Sequence, residues 1–148
     1  MIIRMKKILL ALFAVLLLGV VINCSSIPEK NPGLQRQWML ISFDKFSKEE
    51  LMKNKAEVNL TAEMKGGKIH GGAYMGCNNM FFTSEFKNGG KVKISGVGST
   101  MKACQNMDLE SAFIQKFDKM TKYSVEGHFL TLSDENGNSM KFVAADWD

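Results

Sequence analysis

A chain of 148 residues, 45% hydrophobic and 23% charged, suffices for one domain around one buried core. Its formal charge of +4 and pI near 9.0 point at first to an anionic partner. That excess is local: the first 23 residues hold Arg4, Lys6 and Lys7 and no acid, and 19 cations less these three leave 16 against 15 acids. A remainder at +1 says little about partners: neither a nucleic-acid footprint nor a strong membrane-surface field follows from it, and no nucleic-acid partner is expected.

After the positive start, Ile8 to Ile22 runs 15 residues without a charge. That is short of the roughly 20 residues of a membrane span and has the order of a secretory signal, so residues 1–23 read as a signal peptide. The alternative is an uncleaved N-terminal anchor. Cys24 follows directly, in Val21-Ile22-Asn23-Cys24-Ser25-Ser26. This segment resembles a bacterial lipoprotein box, in which the cysteine is acylated and becomes the first mature residue. Val21 and Asn23 replace the usual Leu and small residue. Residues 24–35 then form a lipidated N-terminus and tether, with both prolines of the chain, Pro28 and Pro32. The expectation is an exported protein held at a membrane by lipid, with its folded domain over residues 36–145.

Within that domain, Trp38 to Phe43 is apolar on both alternating faces, as for a strand buried on two sides. Ser47 and Glu50 form a capping box ahead of a short helical turn. Glu57 to Lys65 alternates cleanly, with Val58, Leu60, Ala62 and Met64 on one face. Gly66-Gly67 signals a hairpin, and the return strand, Lys68 to Tyr74, carries Gly71 and Gly72, a sign of a bulge or close backbone approach. Gly76-Cys77-Asn78-Asn79 reads as a turn. Met80 to Lys87 and Lys91 to Ser95 are two more strands joined at Asn88-Gly89-Gly90.

Asn106 or Asp108 caps the best helix, predicted from about Met107 to Met120 with Leu109, Phe113 and Phe117 in its apolar stripe. Glu110, Ser111, Lys116 and Lys119 fall mostly off that stripe. Strands around Tyr123–Val125, Leu130–Leu132 and Met140–Ala144 close the domain, with turns at Glu126-Gly127 and Asp134–Gly137, and Asp146-Trp147-Asp148 is a tail. The fold class is α+β: a curved antiparallel sheet or small barrel or roll of about seven to eight strands, its one main helix packed on it or plugging one end.

Setting Cys24 aside leaves an even pair, Cys77 and Cys104, in a chain bound for an oxidising compartment, and a disulfide is expected. Two free thiols or half of a metal site are the alternatives. With His70 and His128 the only histidines, a tetrahedral metal site lacks ligands. Ser99, Thr100 and Lys102 lack an oxyanion hole or an orienting base, and Cys77 and Cys104 do not form the Cys-x-x-Cys pair of a dithiol catalyst. Eleven methionines, Met75, Met80, Met101 and Met107 among them, lack the Met-x-x-Met spacing of a copper site. Gly96-Val97-Gly98 lacks the lysine of a phosphate loop. The residues thus offer no catalytic, cofactor or metal constellation, and a non-enzymatic protein is expected.

The order Trp38-x-Leu40, Gly71-x-x-x-x-Gly76-Cys77-Asn78-Asn79, Val92-Lys93-Ile94, Ser99-Thr100-Met101-Lys102-Ala103-Cys104, Met107, Glu110, Phe113 and Tyr123 to Leu132 resembles the META domain, also called the HslJ-like family. Met101-Lys102 departs from the Arg-Met type of pair usual there. The resemblance implies a small β-rich bacterial envelope domain without established catalysis, often lipid-anchored, with some members heat-inducible or linked to antibiotic tolerance. It marks Gly76, Asn78, Asn79 and Thr100 as structural motif positions beside the cysteine pair. The expected function is contact with a protein or envelope partner, in a stress-related role. The alternative is a carrier of a lipid or small hydrophobic ligand inside the β-roll.

Overall fold

The computed structural model describes residues 30–147; the signal segment, Cys24 and the tether through residue 29 lie outside the described residues, as does Asp148. Eight antiparallel strands close into a barrel in sequence order: β1 (Gln37–Phe43), β2 (Glu57–Asn59), β3 (Lys68–Tyr74), β4 (Asn79–Lys87), β5 (Lys91–Ser99), β6 (Lys122–Glu126), β7 (Phe129–Ser133) and β8 (Ser139–Ala144). Helix α1 (Lys48–Lys53) joins β1 to β2, and α2 (Asp108–Phe117) joins β5 to β6. The sheet, the eight strands and the main helix agree with the sequence reading, and the barrel is the closed form of it.

The capping box is made: Glu50 N donates to Ser47 Oγ at 3.2 Å and Ser47 N to Glu50 Oε2 at 2.8 Å. Gly66 and Gly67, at φ +57 and +77, make the hairpin between Lys65 and Lys68. Helix α2 is shorter than its apolar stripe. It runs from Asp108 to Phe117 behind Met107, whose side chain makes no cap bond, while Asn106 Oδ1 accepts from Asp108 N at 3.0 Å.

Four departures have definite structural causes. Strand β1 bulges between Leu40 and Ser42 where it pairs β8. The bulge carries Phe43 to the same side as Trp38 and Leu40, whereas strict alternation had placed it opposite. Its other face, Met39 and Ile41, is only half-buried, so β1 is not a strand buried on two sides. Strand β2 stops at Asn59, whose Oδ1 accepts from Thr61 N at 2.9 Å and ends the ladder; Leu60 and Met64 remain buried while Ala62 is exposed. Strand β5 continues through Gly96, Val97 and Gly98 to Ser99, because an extra residue opposite Phe82, with Gly96 at φ +63, absorbs the glycines as a bulge.

The fourth departure concerns both ends of the domain. Leu34, read as tether, is 1% exposed, and Trp38 Nε1 donates to its carbonyl at 2.9 Å. At the other end Trp147 stacks on His128 with ring centroids 4.9 Å apart, and Arg36 pairs Asp146 at 2.8 Å. The folded body therefore starts before residue 36 and includes the segment read as a tail.

The core is filled by the helix. Phe113 and Phe117 stack at 4.4 Å; Phe113 meets Phe43 of β1 edge-on, and Phe117 meets Phe82 of β4 at 4.8 Å. The void left among Val58, Phe82, Ile94, Phe117, Leu130 and Leu132 is about 10 Å³, at the lower limit for a single water. Gly71 makes this packing possible: a Cβ there would lie 2.5 Å from the ring of Phe82 and 3.0 Å from the Asn59 carbonyl. Gly71→Ala is expected to cost about 1–3 kcal/mol, read as a lowered urea midpoint at unchanged m-value.

Candidate functional site

The expected disulfide is present and acts as a clamp. Cys77 and Cys104 form a disulfide across 27 residues, Cys77 buried and Cys104 exposed. Gly76, at φ +107, turns the chain into it where a Cβ would lie 2.5 Å from Asn54 Oδ1, at the end of α1. Asn78, 2% exposed, uses all four of its side-chain hydrogen-bonding positions. Its Nδ2 donates to Glu110 Oε1 at 2.8 Å and to the Lys102 carbonyl at 3.1 Å. Its Oδ1 accepts from Thr100 Oγ1 at 2.8 Å and from Lys102 N at 2.7 Å. Asn79 N in turn donates to Thr100 Oγ1 at 3.2 Å. The structure thus brings Gly76, Cys77, Asn78, Asn79, Thr100 and Cys104 together.

Glu110 completes this site. It is 3% exposed, and its Oε2 accepts from Asn78 N at 2.7 Å. Helical spacing had placed it off the apolar stripe. It is off the stripe and still buried, because the first turn of α2 lies against the β3–β4 turn. Only its place in the family-like segment marked it. The clamp therefore ties the start of the core-filling helix to the turn between two strands.

The remaining candidates are scattered. His70 Nδ1 lies 3.1 Å from Thr83 Oγ1 on the surface, and Ser99 pairs Met80 in the sheet. Met75 and Met80 are buried, whereas Met101 is 98% exposed. No group of three His, Cys, Asp or Glu residues placed to hold a metal occurs among the described residues.

A second feature was not anticipated. On the outside of the barrel an apolar groove of about 430 Å³ is lined by Met39, Ile41, Leu51, Met52, Phe129, Val143 and Trp147, with Lys48 among its walls. Its floor is one row across three strands, since Met39 pairs Val143 and Val143 pairs Phe129. Helix α1 supplies one wall and Trp147 the other. Met52 is 63% exposed and Trp147 46%. The sequence signal was present in the apolar outer face of β1, but its meaning needed the register of β7 and β8. Beside Trp147, Arg36 hydrogen-bonds to Asp146 and holds its carboxyl below the usual aspartate range.

The META domain family model matches residues 32–147, and the chain belongs to that family. Among solved structures it is similar to a protein from Burkholderia xenovorans determined by NMR, at 17% identity and TM-score 0.56 over 76% of this chain and 83% of that one. It is also similar to a DUF4847 family protein from Bacteroides vulgatus, at 11% identity and TM-score 0.52 over 79% and 97% of the two chains. At these identities the likeness is one of fold. No curated protein matches the chain.

Two measurements check the geometry. Asn78→Asp replaces two donors with acceptors facing Glu110 and the Lys102 carbonyl; it is expected to cost about 3–5 kcal/mol in urea unfolding, against about 3.5 kcal/mol for Cys77→Ser with Cys104→Ser. A depressed carboxylate stabilises above its unfolded pKa and loses that contribution as pH falls through the folded value. The Asp146 contribution is therefore whole above pH 3.8 and fades below it. Trp147 fluorescence should shift toward the solvent-exposed spectrum in acid, and Asp146→Asn should show much of that shift already at neutral pH.

Proposed function

We propose that this protein is an exported, lipid-anchored, non-catalytic binding domain of the bacterial envelope, and that it engages its partner through the outer groove. The observation that carries this reading is the contrast between a core void of about 10 Å³ and an external apolar groove of about 430 Å³. A protein that works on its outside needs a stiff body and an exposed apolar patch, and the two coincide here. The position of Cys24 behind an uncharged apolar run supports the anchor. Membership of the META family supports an envelope setting, and the stress-linked members of that family favour a role under stress. The carrier reading, in the form of a ligand enclosed by the barrel, loses support because helix α2 occupies that space.

Fractionation of expressing cells tests the anchor: the wild type should sediment with membranes and Cys24→Ala should not. A Cys24→Ala protein that stays membrane-bound overturns it. A photo-crosslinker at position 52 should give adducts with envelope components, while one at the exposed position 63 should not. Equal yields at the two positions overturn the groove as the working surface.

A further inference from the structure

The outer face of β1, β7 and β8 exposes apolar side chains that the barrel does not use for its own packing. We propose that the groove on this face binds a single acyl chain carrying an anionic head, with Lys48 and Lys141 receiving the head. This rests on the reading of the groove as the working surface and names its occupant.

The size is right for one small ligand: about 430 Å³ lies toward the lower end of the roughly 300–1,000 Å³ typical of ligand sites. The walls favour hydrocarbon. Met39, Ile41, Phe129 and Val143 form the floor, with Met52 and Trp147 at the sides, and among the described residues no carboxylate lines the groove. The two methionines are unbranched and adapt their shape to a flexible chain.

Backbone chemistry separates an acyl chain from a peptide. Strands β7 and β8 are paired on both sides, so the floor offers no free ladder to an added strand. An extended polypeptide lying there would bring N–H and C=O groups in need of partners, whereas an acyl chain brings none.

The rim supplies the sign of the head. Lys48 lines the groove, and Lys141 Nζ lies 4.8 Å from the centroid of the Phe129 ring in its floor. Among the described residues neither lysine has a carboxylate within salt-bridge distance, whereas Arg36, Lys116 and Lys122 each do. Asp146, next to Trp147, is already held by Arg36. The groove therefore pairs a hydrocarbon surface with two cations that no carboxylate among the described residues neutralises.

The test uses the full chain in phosphatidylcholine vesicles, labelled with a photoactivatable diazirine dodecanoate and, in parallel, the matching dodecanol, with adducts mapped by mass spectrometry. Dodecanoate should label the segments around Met52, Val143 and Trp147. Met52→Glu, at an exposed position that spares folding, should cut labelling by about tenfold. Lys48→Glu with Lys141→Glu should cut dodecanoate labelling by about fivefold and leave dodecanol labelling unchanged. If dodecanol labels as well as dodecanoate, or the lysine variants do not separate them, the anionic head is overturned and the groove reading stands. Labelling indifferent to Met52→Glu overturns the site. Labelling that appears only when the vesicles contain anionic lipid assigns the face to a bilayer and overturns the single-chain occupant. Protein adducts from position 52 in cells, without any dodecanoate labelling, overturn this inference alone.

Discussion

Eight short strands hold a closed barrel only where the side chains they enclose meet without a void, and here that meeting is made by Phe113 and Phe117. The two rings stack on each other and meet Phe43 and Phe82 edge-on, so helix α2 joins strands on different sides of the wall into one core. The wall needs this support. Strands β5 and β6 share a single residue pair, Lys91 with Lys122, where neighbouring hairpins are laddered along their length. Closure at that seam depends on what lies inside more than on the ladder itself.

A helix that fills a core must be held where it enters, and the clamp does this twice over. The disulfide fixes the exposed segment before the helix to the β3–β4 turn, and Asn78 with Glu110 fixes the first helical turn to the same place by hydrogen bonds. The covalent link acts mainly by restricting the unfolded chain, whereas the buried network acts in the folded state, where any unpaired member would be costly. Buried polar groups of this kind specify one arrangement of helix against turn, because sliding either element leaves donors facing nothing.

Filling the inside sends function to the outside. The bulge in β1 that brings Phe43 into the core leaves Met39 and Ile41 facing outward, beside Val143 and Phe129. The capped helix α1 and the docked Trp147 then raise walls on either side of this row. One local irregularity thus serves both core packing and the apolar surface opposite it.

Much of this was legible in the residues alone. Alternation gave most of the strands, Ser47 and Glu50 the capped turn, Gly66-Gly67 a hairpin, and the even cysteine pair the clamp; these are short-range rules, each satisfied within a few residues or by counting. The bulges at Ile41 and Gly96, the burial of Glu110 and the docking of Leu34 and Trp147 were not legible, because each depends on a partner far away in the chain. The groove is the clearest case: Met39, Phe129 and Val143 are unremarkable apolar residues in three separate strands. Strand register, a property of the closed barrel, makes them one surface. The sequence by itself determined the α+β class, the elements and the cross-link, since local sterics and hydrophobic period act between near neighbours. Tertiary structure alone decided which apolar faces turn inward and which stay open, since that choice depends on how the whole wall closes around its helix.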